Sequence, residues 1–379
     1  MALHRFHLSD TSIPRYLGRW VLCLVCTAVL LCSLSGCGQN QSDNSAEETS
    51  AAGQTTDAAS GDSQTTGEVS GDATATDGTA TNGAKADGTS TTDAAKDEAA
   101  TSDNTATAKK PTPNAALAQS WSTDFQRLAE ASGMDVCVSA VDLTTGATAS
   151  HHGDERMLSA SMIKLLIAET LLGQVADGTH SLDEAYVLKG SDIVGGAGSL
   201  GGRGAGAETN VREMLKLMIA ESDNVATNVL IDLCGMDAVN AEAKRLDLKQ
   251  TELGRHMMDT EAAERGEDNY TCADDLAKLL QMVWDKAFVN EEMSAVMLEC
   301  LEAQTDNECI SPGLPAGTTF AHKTGSLATV RHDGGIVEGE APFVLVCLCG
   351  GEGFGEGAAQ ATMAQIGEAA YQDVLTTSK

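Results

Sequence analysis

The sequence predicts an α+β domain of the α/β sandwich type: a mainly antiparallel sheet flanked by helices, with an inserted all-α subdomain. Three observations carry this. Apolar residues alternate with polar or small ones between Asp135 and Ser150, which is a strand period. Strand-like segments return near the C-terminus, in TTFAHKTGSLA, RHDGGIVEG and PFVLVCLCGG. Segments of helical period fill the stretch between and close the chain.

Taken in order, residues 115–131 form a helix with Ala116, Leu117, Trp121, Phe125 and Leu128 on one side. DVCVSAVDLTTGATAS follows as two strands, joined by a hairpin turn at Thr145-Gly146. LSASMIKLLIAETLL is a helix with almost no polar face, so it should be buried. A helical subdomain spans about 183–270, with VREMLKLMIAESDNVATNVLIDLCG and MDAVNAEAKRLDL as its clearest helical stretches. CADDLAKLLQMVWDKA and NEEMSAVMLECLEAQ are two further helices, and the last helix runs from about 357 to 375. A groove between two such subdomains is a usual place for a site.

This domain occupies residues 114–379 of a 379-residue chain. Ahead of it, Arg5, Arg15 and Arg19 precede an apolar run from Trp20 to Leu34. The run is too short for a comfortable membrane span and ends in Leu34-Ser35-Gly36-Cys37, which resembles a bacterial lipobox. That resemblance implies that 1–37 is a lipoprotein signal segment cleaved just before Cys37, with lipidation of the Cys37 sulfur and an extracytoplasmic domain anchored in the cell membrane. Residues 38–113 are almost wholly Ala, Thr, Ser, Gly and Asp, which cannot bury enough surface to fold. They are expected to form an acidic, extended tether.

The chain carries a formal charge of −31, which argues against nucleic acid and anionic membrane surfaces as electrostatic partners. The domain's cysteines are Cys137, Cys234, Cys272, Cys300, Cys309, Cys347 and Cys349. Export permits disulfides, but the odd count leaves a thiol over. Most are expected to be small buried hydrophobes. Cys347 and Cys349 fall on one strand face and are not expected to bond each other.

Ser161 and Lys164 stand at i and i+3 in the apolar helix, so their side chains share a face. A serine hydroxyl needs a base to become a nucleophile, and a desolvated lysine with a lowered pKa can be one. The plain alternative is a surface lysine with its ammonium in water. Two further signals weigh against it: Ser222-Asp223-Asn224 in AESDNVATNVL, and Lys323-Thr324-Gly325 in FAHKTGSLATV. Alone, the first suits a helix cap and the second a strand end. Together and in this order, the three motifs resemble those of class A β-lactamases and penicillin-binding proteins.

The resemblance covers nearly all of 114–379, and the element order fits that family's fold. It implies that Ser161 forms an acyl-enzyme and that Lys164 takes or relays its proton. It implies that Ser222 passes a proton toward the leaving nitrogen, and that Asn224 holds the substrate amide and Lys164. Lys323 supplies positive potential, while Thr324 and Ser326, beside Gly325, bind a substrate carboxylate. The backbone N–H groups of Ser161 and Ser326 form the oxyanion hole. No metal or organic cofactor is implied. The expected partner is a small-molecule β-lactam or a peptidoglycan stem peptide, and a monomer is expected.

One departure matters. The family's Glu-x-x-Leu-Asn motif, whose glutamate activates the deacylating water, is missing from TELGRHMMDTEAAERGEDNYTCADD. Arg255 and Thr271 flank the corresponding loop, and Met257-Met258 stand where the glutamate belongs. Asp259 and Glu261 are the nearest candidate carboxylates. The expected function is still a serine hydrolase of that family, acylated at Ser161 by β-lactams or D-Ala-type peptides and then hydrolysing the acyl-enzyme. Slow deacylation, as in a penicillin-binding D-alanyl peptidase, is one alternative, and a lipoprotein that only captures wall fragments is another. Weaker signals are a GxGxxG string from Gly196 to Gly201, expected to be a loop rather than a dinucleotide site. His332-Asp333 is expected in a polar turn, and His151-His152 as strand neighbours pointing apart.

Overall fold

The computed structural model describes residues 112–377. The leader, Cys37 and nearly all of the 38–113 tether lie outside the described residues. The chain runs α1 (Ala115–Ser132), β1 (Asp135–Asp142), β2 (Thr148–His151), β3 (Met157–Leu158), α2 (Lys164–Ala176), β4 (Ala185–Val187) and β5 (Glu208–Asn210). It continues with α3 (Val211–Ala220), α4 (Asn224–Cys234), α5 (Met236–Arg245), α6 (Thr260–Glu264), β6 (Tyr270–Thr271), α7 (Ala273–Trp284) and α8 (Glu291–Glu302). The last elements are β7 (Phe320–Leu327), β8 (Val330–Val337), β9 (Phe343–Gly350) and α9 (Glu356–Thr377).

Five strands form one antiparallel sheet in the order β2-β1-β9-β8-β7, so the last strand to be made pairs with the first. The pleat of β9 sends alternate residues to opposite faces. Phe343, Leu345, Cys347 and Cys349 pack under α1 and α9, while Val344, Val346 and Leu348 pack toward the helical layer. Both faces are therefore covered, and β8 and β9 are buried along their whole length. Trp121 pins α1 to α9: its indole N–H donates to the Ala370 carbonyl at 3.1 Å, and its ring meets Phe125 and Phe343.

The helical layer differs in three ways from the sequence expectation. The stretch 211–235 is two helices, broken at Glu221-Ser222-Asp223, where Ser222 takes φ +56°. The segment 183–270 also carries the β4–β5 hairpin and β6, which pairs with β3. The helix that packs at the centre of this layer, α2, comes from outside that segment and touches α3, α4 and α5. It is apolar all round because it has neighbours all round.

Other local expectations are corrected. His332 and Asp333 lie in the middle of β8, fully buried, not in a turn. Asp333 accepts from His322 Nδ1 at 2.8 Å and from the Ile310 N–H at 3.0 Å. His332 Nε2–H donates to the Leu158 carbonyl at 2.8 Å, and burial pulls its imidazole down to about 4, so it stays neutral. His151 and His152 do not point apart: β2 ends at His151, His152 takes φ +52°, and the rings meet edge to face at 4.3 Å. The seven cysteines are free and buried, Cys347 and Cys349 with their sulfurs 4.0 Å apart.

Glu169, also on α2, is buried, and burial lifts its carboxyl to about 7, with Glu242 adding and Arg245 opposing. A carboxyl raised above its unfolded value binds its proton more tightly in the native state. Its contribution is most favourable below the unfolded value near 4.5 and is lost as pH rises through about 7. Glu169→Gln is expected to raise Tm at pH 8, by up to roughly 3 kcal/mol of stability, and to change little at pH 4. Thermal melts of both proteins across that range check it.

Candidate active site

Ser161 sits in a 3₁₀ turn, Ala160–Ile163, directly ahead of α2. Ala160, just before it, holds φ +46°, a left-handed conformation that costs a non-glycine residue of order 1–2 kcal/mol. Gly325 of β7 passes so close that a Cβ there would stand 3.2 Å from the Ser161 nitrogen and from Ala160 and Met162 side-chain atoms. The third residue of Lys-Thr-Gly is thus a close-packing requirement of the turn that presents the serine.

Lys164 is fully buried, so its ammonium does not reach water. Its Nζ donates to the Ser222 carbonyl at 2.7 Å and lies 3.1 Å from Ser222 Oγ and 3.0 Å from Asn224 Oδ1. Burial depresses it well below the usual lysine range; the nearby Lys323 adds to this and Asp223 opposes. A lysine driven toward the neutral amine has a lone pair available for a proton.

Ser222 is the corner between α3 and α4, and its left-handed backbone turns Oγ between two lysines. Lys323 Nζ reaches it at 3.0 Å and the Thr324 carbonyl at 2.7 Å. Lys323 is itself buried, which pulls it down to about 7 against the upward pull of Asp306 and Asp333. Asp223 does cap α4, its Oδ1 accepting the Ala226 N–H at 2.8 Å. The cap reading and the catalytic reading of Ser-Asp-Asn therefore describe one corner.

The other carboxylate oxygen of Asp223 accepts the Leu200 N–H at 2.7 Å. The Asn224 N–H donates to Ala197 O at 3.0 Å, and its Nδ2 to Gly195 O at 3.2 Å. The glycine-rich loop is thereby held against the corner. Gly198, at φ +102°, admits no side chain: a Cβ would meet Asp223 at 2.1 Å. The GxGxxG string is a loop, as expected, but one that lines the serine cavity through Gly196 and Ala197.

Two cavities meet at Ser161. One, of about 260 Å³, is bordered by Ser222, Thr324, Gly325, Ser326 and also Asp306 and Arg331. Sequence reasoning missed the last two. Arg331 pairs across the strands with Ser326 and grips Asp306 with Nη2 at 2.8 and 2.7 Å. No sequence signal pointed to them, because the strand register that sets Arg331 opposite Ser326 is fixed only in the folded sheet.

The second cavity, of about 320 Å³, is walled by Ala160, Asn224, Met257, Met258, Ser326 and Leu327, among others. The loop 254–269 forms one side and is closed at its base by Arg255 on Asp268, 2.9 Å, and by Asn269 Oδ1, which takes the Gly254 and Arg255 N–H groups. Asn228 clamps the Met257 backbone at both its N–H and carbonyl, 2.8 and 3.0 Å. Among the described residues, Asp268 is the one carboxylate lining this cavity, and it is tied to Arg255.

Neither Asp259 nor Glu261 borders either of these cavities. Asp259 is the N-cap of α6 and accepts the Ala262 N–H at 2.9 Å, while Glu261 is exposed on that helix. Starting a helix at 260 turns both carboxyls to other work.

A five-stranded sheet with an interposed helical layer, meeting at a serine, is the architecture of β-lactamase-like serine hydrolases. The model of the β-lactamase enzyme family matches residues 120–374. The chain belongs to that family and is a β-lactamase-like serine hydrolase. Its relatives include β-lactamase L2 of Stenotrophomonas maltophilia, 27% identical over 246 residues, covering 63% of this chain and 80% of the relative. The crystal structure of a β-lactamase from Sphaerobacter thermophilus is 29% identical with a TM-score of 0.61, over 69% of this chain and 97% of that one. A PBP-A variant, solved as an acyl-enzyme with penicillin G, shares the fold at 24% identity and a TM-score of 0.63, over 69% and 97% of the two chains.

Proposed function

We propose that β-lactams and D-Ala-D-Ala-type peptides acylate Ser161 and that the acyl-enzyme is released slowly. The observation that carries the slow step is the wall of the second cavity, where Met257 and Met258 stand and the one carboxylate is paired with Arg255. In this reading neutral Lys164 takes the Ser161 proton as Oγ attacks the amide carbonyl. The Ser161 and Ser326 N–H groups hold the oxyanion. The C–N bond then breaks, and Ser222 delivers a proton to the nitrogen and is reprotonated through its lysine neighbours. Lys323, Thr324, Ser326 and Arg331 supply the donors for a substrate carboxylate. The same reading keeps the Cys37 anchor, with the domain outside the cytoplasm and reaching toward the cell wall.

The test follows a chromogenic cephalosporin and intact-protein mass together. A persistent adduct with little colour is expected. Fast colour without lasting adduct would overturn the slow step and favour a working β-lactamase, the activity that the relatives' names carry. Absence of both adduct and colour would overturn acylation itself. Asp259→Ala and Glu261→Ala are expected to leave the adduct lifetime unchanged. A longer lifetime in either would return that carboxylate to the site.

A further inference from the structure

Lys164 is not the only ionisable side chain buried in α2. Glu169, further along the same helix, has a side chain with no solvent exposure. Neither of its carboxylate oxygens makes a hydrogen bond of ordinary geometry; the Val289 N–H lies close enough to favour the carboxylate, but burial outweighs it. It does not border the serine cavities. It lines a separate cavity of about 550 Å³ between α2, α5 and the turn at Val289, together with Gln174, Asp177, Glu242 and Arg245.

Gln174 Oε1 is likewise buried without a partner, its amide nitrogen already donating to the Cys234 carbonyl at 3.0 Å. The cavity thus carries buried acceptors poor in donors, with only the Val289 N–H near the Glu169 carboxylate and none at Gln174 Oε1, a costly arrangement in a folded protein. Arg245 is the cation in its wall, but its guanidinium is held by Glu242, with Nε at 2.9 and 2.8 Å from the two carboxylate oxygens. Its Nη2 stands 3.7 Å from Glu169 Oε1, beyond hydrogen-bonding distance. The Arg245 side chain is 62% exposed, so it is held at the mouth of the cavity and not in its floor.

Three carboxyl groups against one guanidinium, with donor-poor acceptors at the floor, call for a compact cation rich in N–H donors. A metal ion suits the site poorly. Among the described residues no cluster of three or more His, Cys, Asp and Glu is arranged to hold one, and Arg245 would repel it. A guanidinium or primary ammonium supplies donors as well as charge.

We propose that this cavity binds a small organic cation bearing a guanidinium or primary ammonium group, seated on the Glu169 carboxylate and Gln174 Oε1. The site is independent of the serine chemistry, although it lies on the helix that carries Lys164. Glu242 and Arg245 of α5 and Asp177 beyond α2 are the charged groups that line the cavity with Glu169. Because burial favours its protonated form, uptake of the cation releases a proton, and affinity rises with pH through about 7.

The experiment is calorimetry of the full chain with agmatine, against tetramethylammonium at equal ionic strength, a cation with no N–H donor. Saturable binding of agmatine alone is expected, with affinity lower by about tenfold or more in Glu169→Gln. Ser161→Ala should bind agmatine like the parent chain, which places the ligand away from the serine. Agmatine heats no different from those of tetramethylammonium would overturn the proposal, as would equal agmatine affinity in Glu169→Gln. Because that variant removes a buried charge, it is expected to fold at least as well as the parent, so lost binding cannot be put down to lost structure.

Discussion

Ser161→Ala is expected to take no label from a fluorescent penicillin, while the parent chain is labelled to one equivalent. Removing the nucleophile of a serine hydrolase costs about 10⁶ in rate, and the other hydroxyls of the site, Ser222, Thr324 and Ser326, are given different work in this reading. Lys164→Met should retain the serine but lose its base, lowering labelling by about 10²–10⁴. The geometry sets the difference between the two. Lys164 is fully buried and bonded to Ser222 and Asn224, so its loss also leaves those acceptors without a donor. Circular dichroism and melts of both variants separate lost chemistry from lost fold. Labelling that survives in Ser161→Ala would sink the nucleophile assignment, whatever the outcome for Lys164.

Met257→Glu is expected to shorten the lifetime of the penicilloyl adduct by about 10² or more, the range a positioned general base supplies. Met257 is 7% exposed and borders the serine cavity, and its backbone is fixed at both ends by Asn228. A carboxylate placed there would add a second acid to the wall of the cavity that Ser161 borders. Met258 walls the same cavity but takes φ +65° and is 49% exposed, so a carboxylate there stays in water and Met258→Glu should shorten the adduct lifetime less than Met257→Glu. Intact-protein mass against time reads both. An equal lifetime for Met257→Glu and the parent would show that the loop backbone, not the missing carboxylate, limits release.

Much of the fold was legible because it is written in local period. The alternation in Val136, Val138 and Ala140 located β1, and the apolar side of 115–131 located α1 to within a residue at its end. Other features depend on partners far along the chain. The stretch 211–235 has an unbroken helical pattern, yet it breaks at Ser222, where the carbonyl and hydroxyl meet Lys164, 58 positions away. His332-Asp333 looks like a turn because both residues are polar. Pairing of β8 with β7 and β9 places them inside, where the Leu158 carbonyl, His322 and the Ile310 N–H satisfy them. Arg331 and Asp306 could not be joined to the site until the sheet register set Arg331 opposite Ser326.

The sequence by itself determined which three motifs the chain carries and their order, Ser161 to Lys164, Ser222 to Asn224 and Lys323 to Gly325, because motif residues carry their own chemistry. It also determined that the Glu-x-x-Leu-Asn motif is missing between Arg255 and Thr271. Only the tertiary structure decided that Lys164 is dry, that Ser222 stands between two lysines, and that Asp259 caps a helix instead of facing the serine. Those outcomes turn on burial and on hydrogen bonds between distant segments. Neither quantity is a property of a residue or of its neighbours in the chain; both exist only once the sheet and the helical layer have closed on each other.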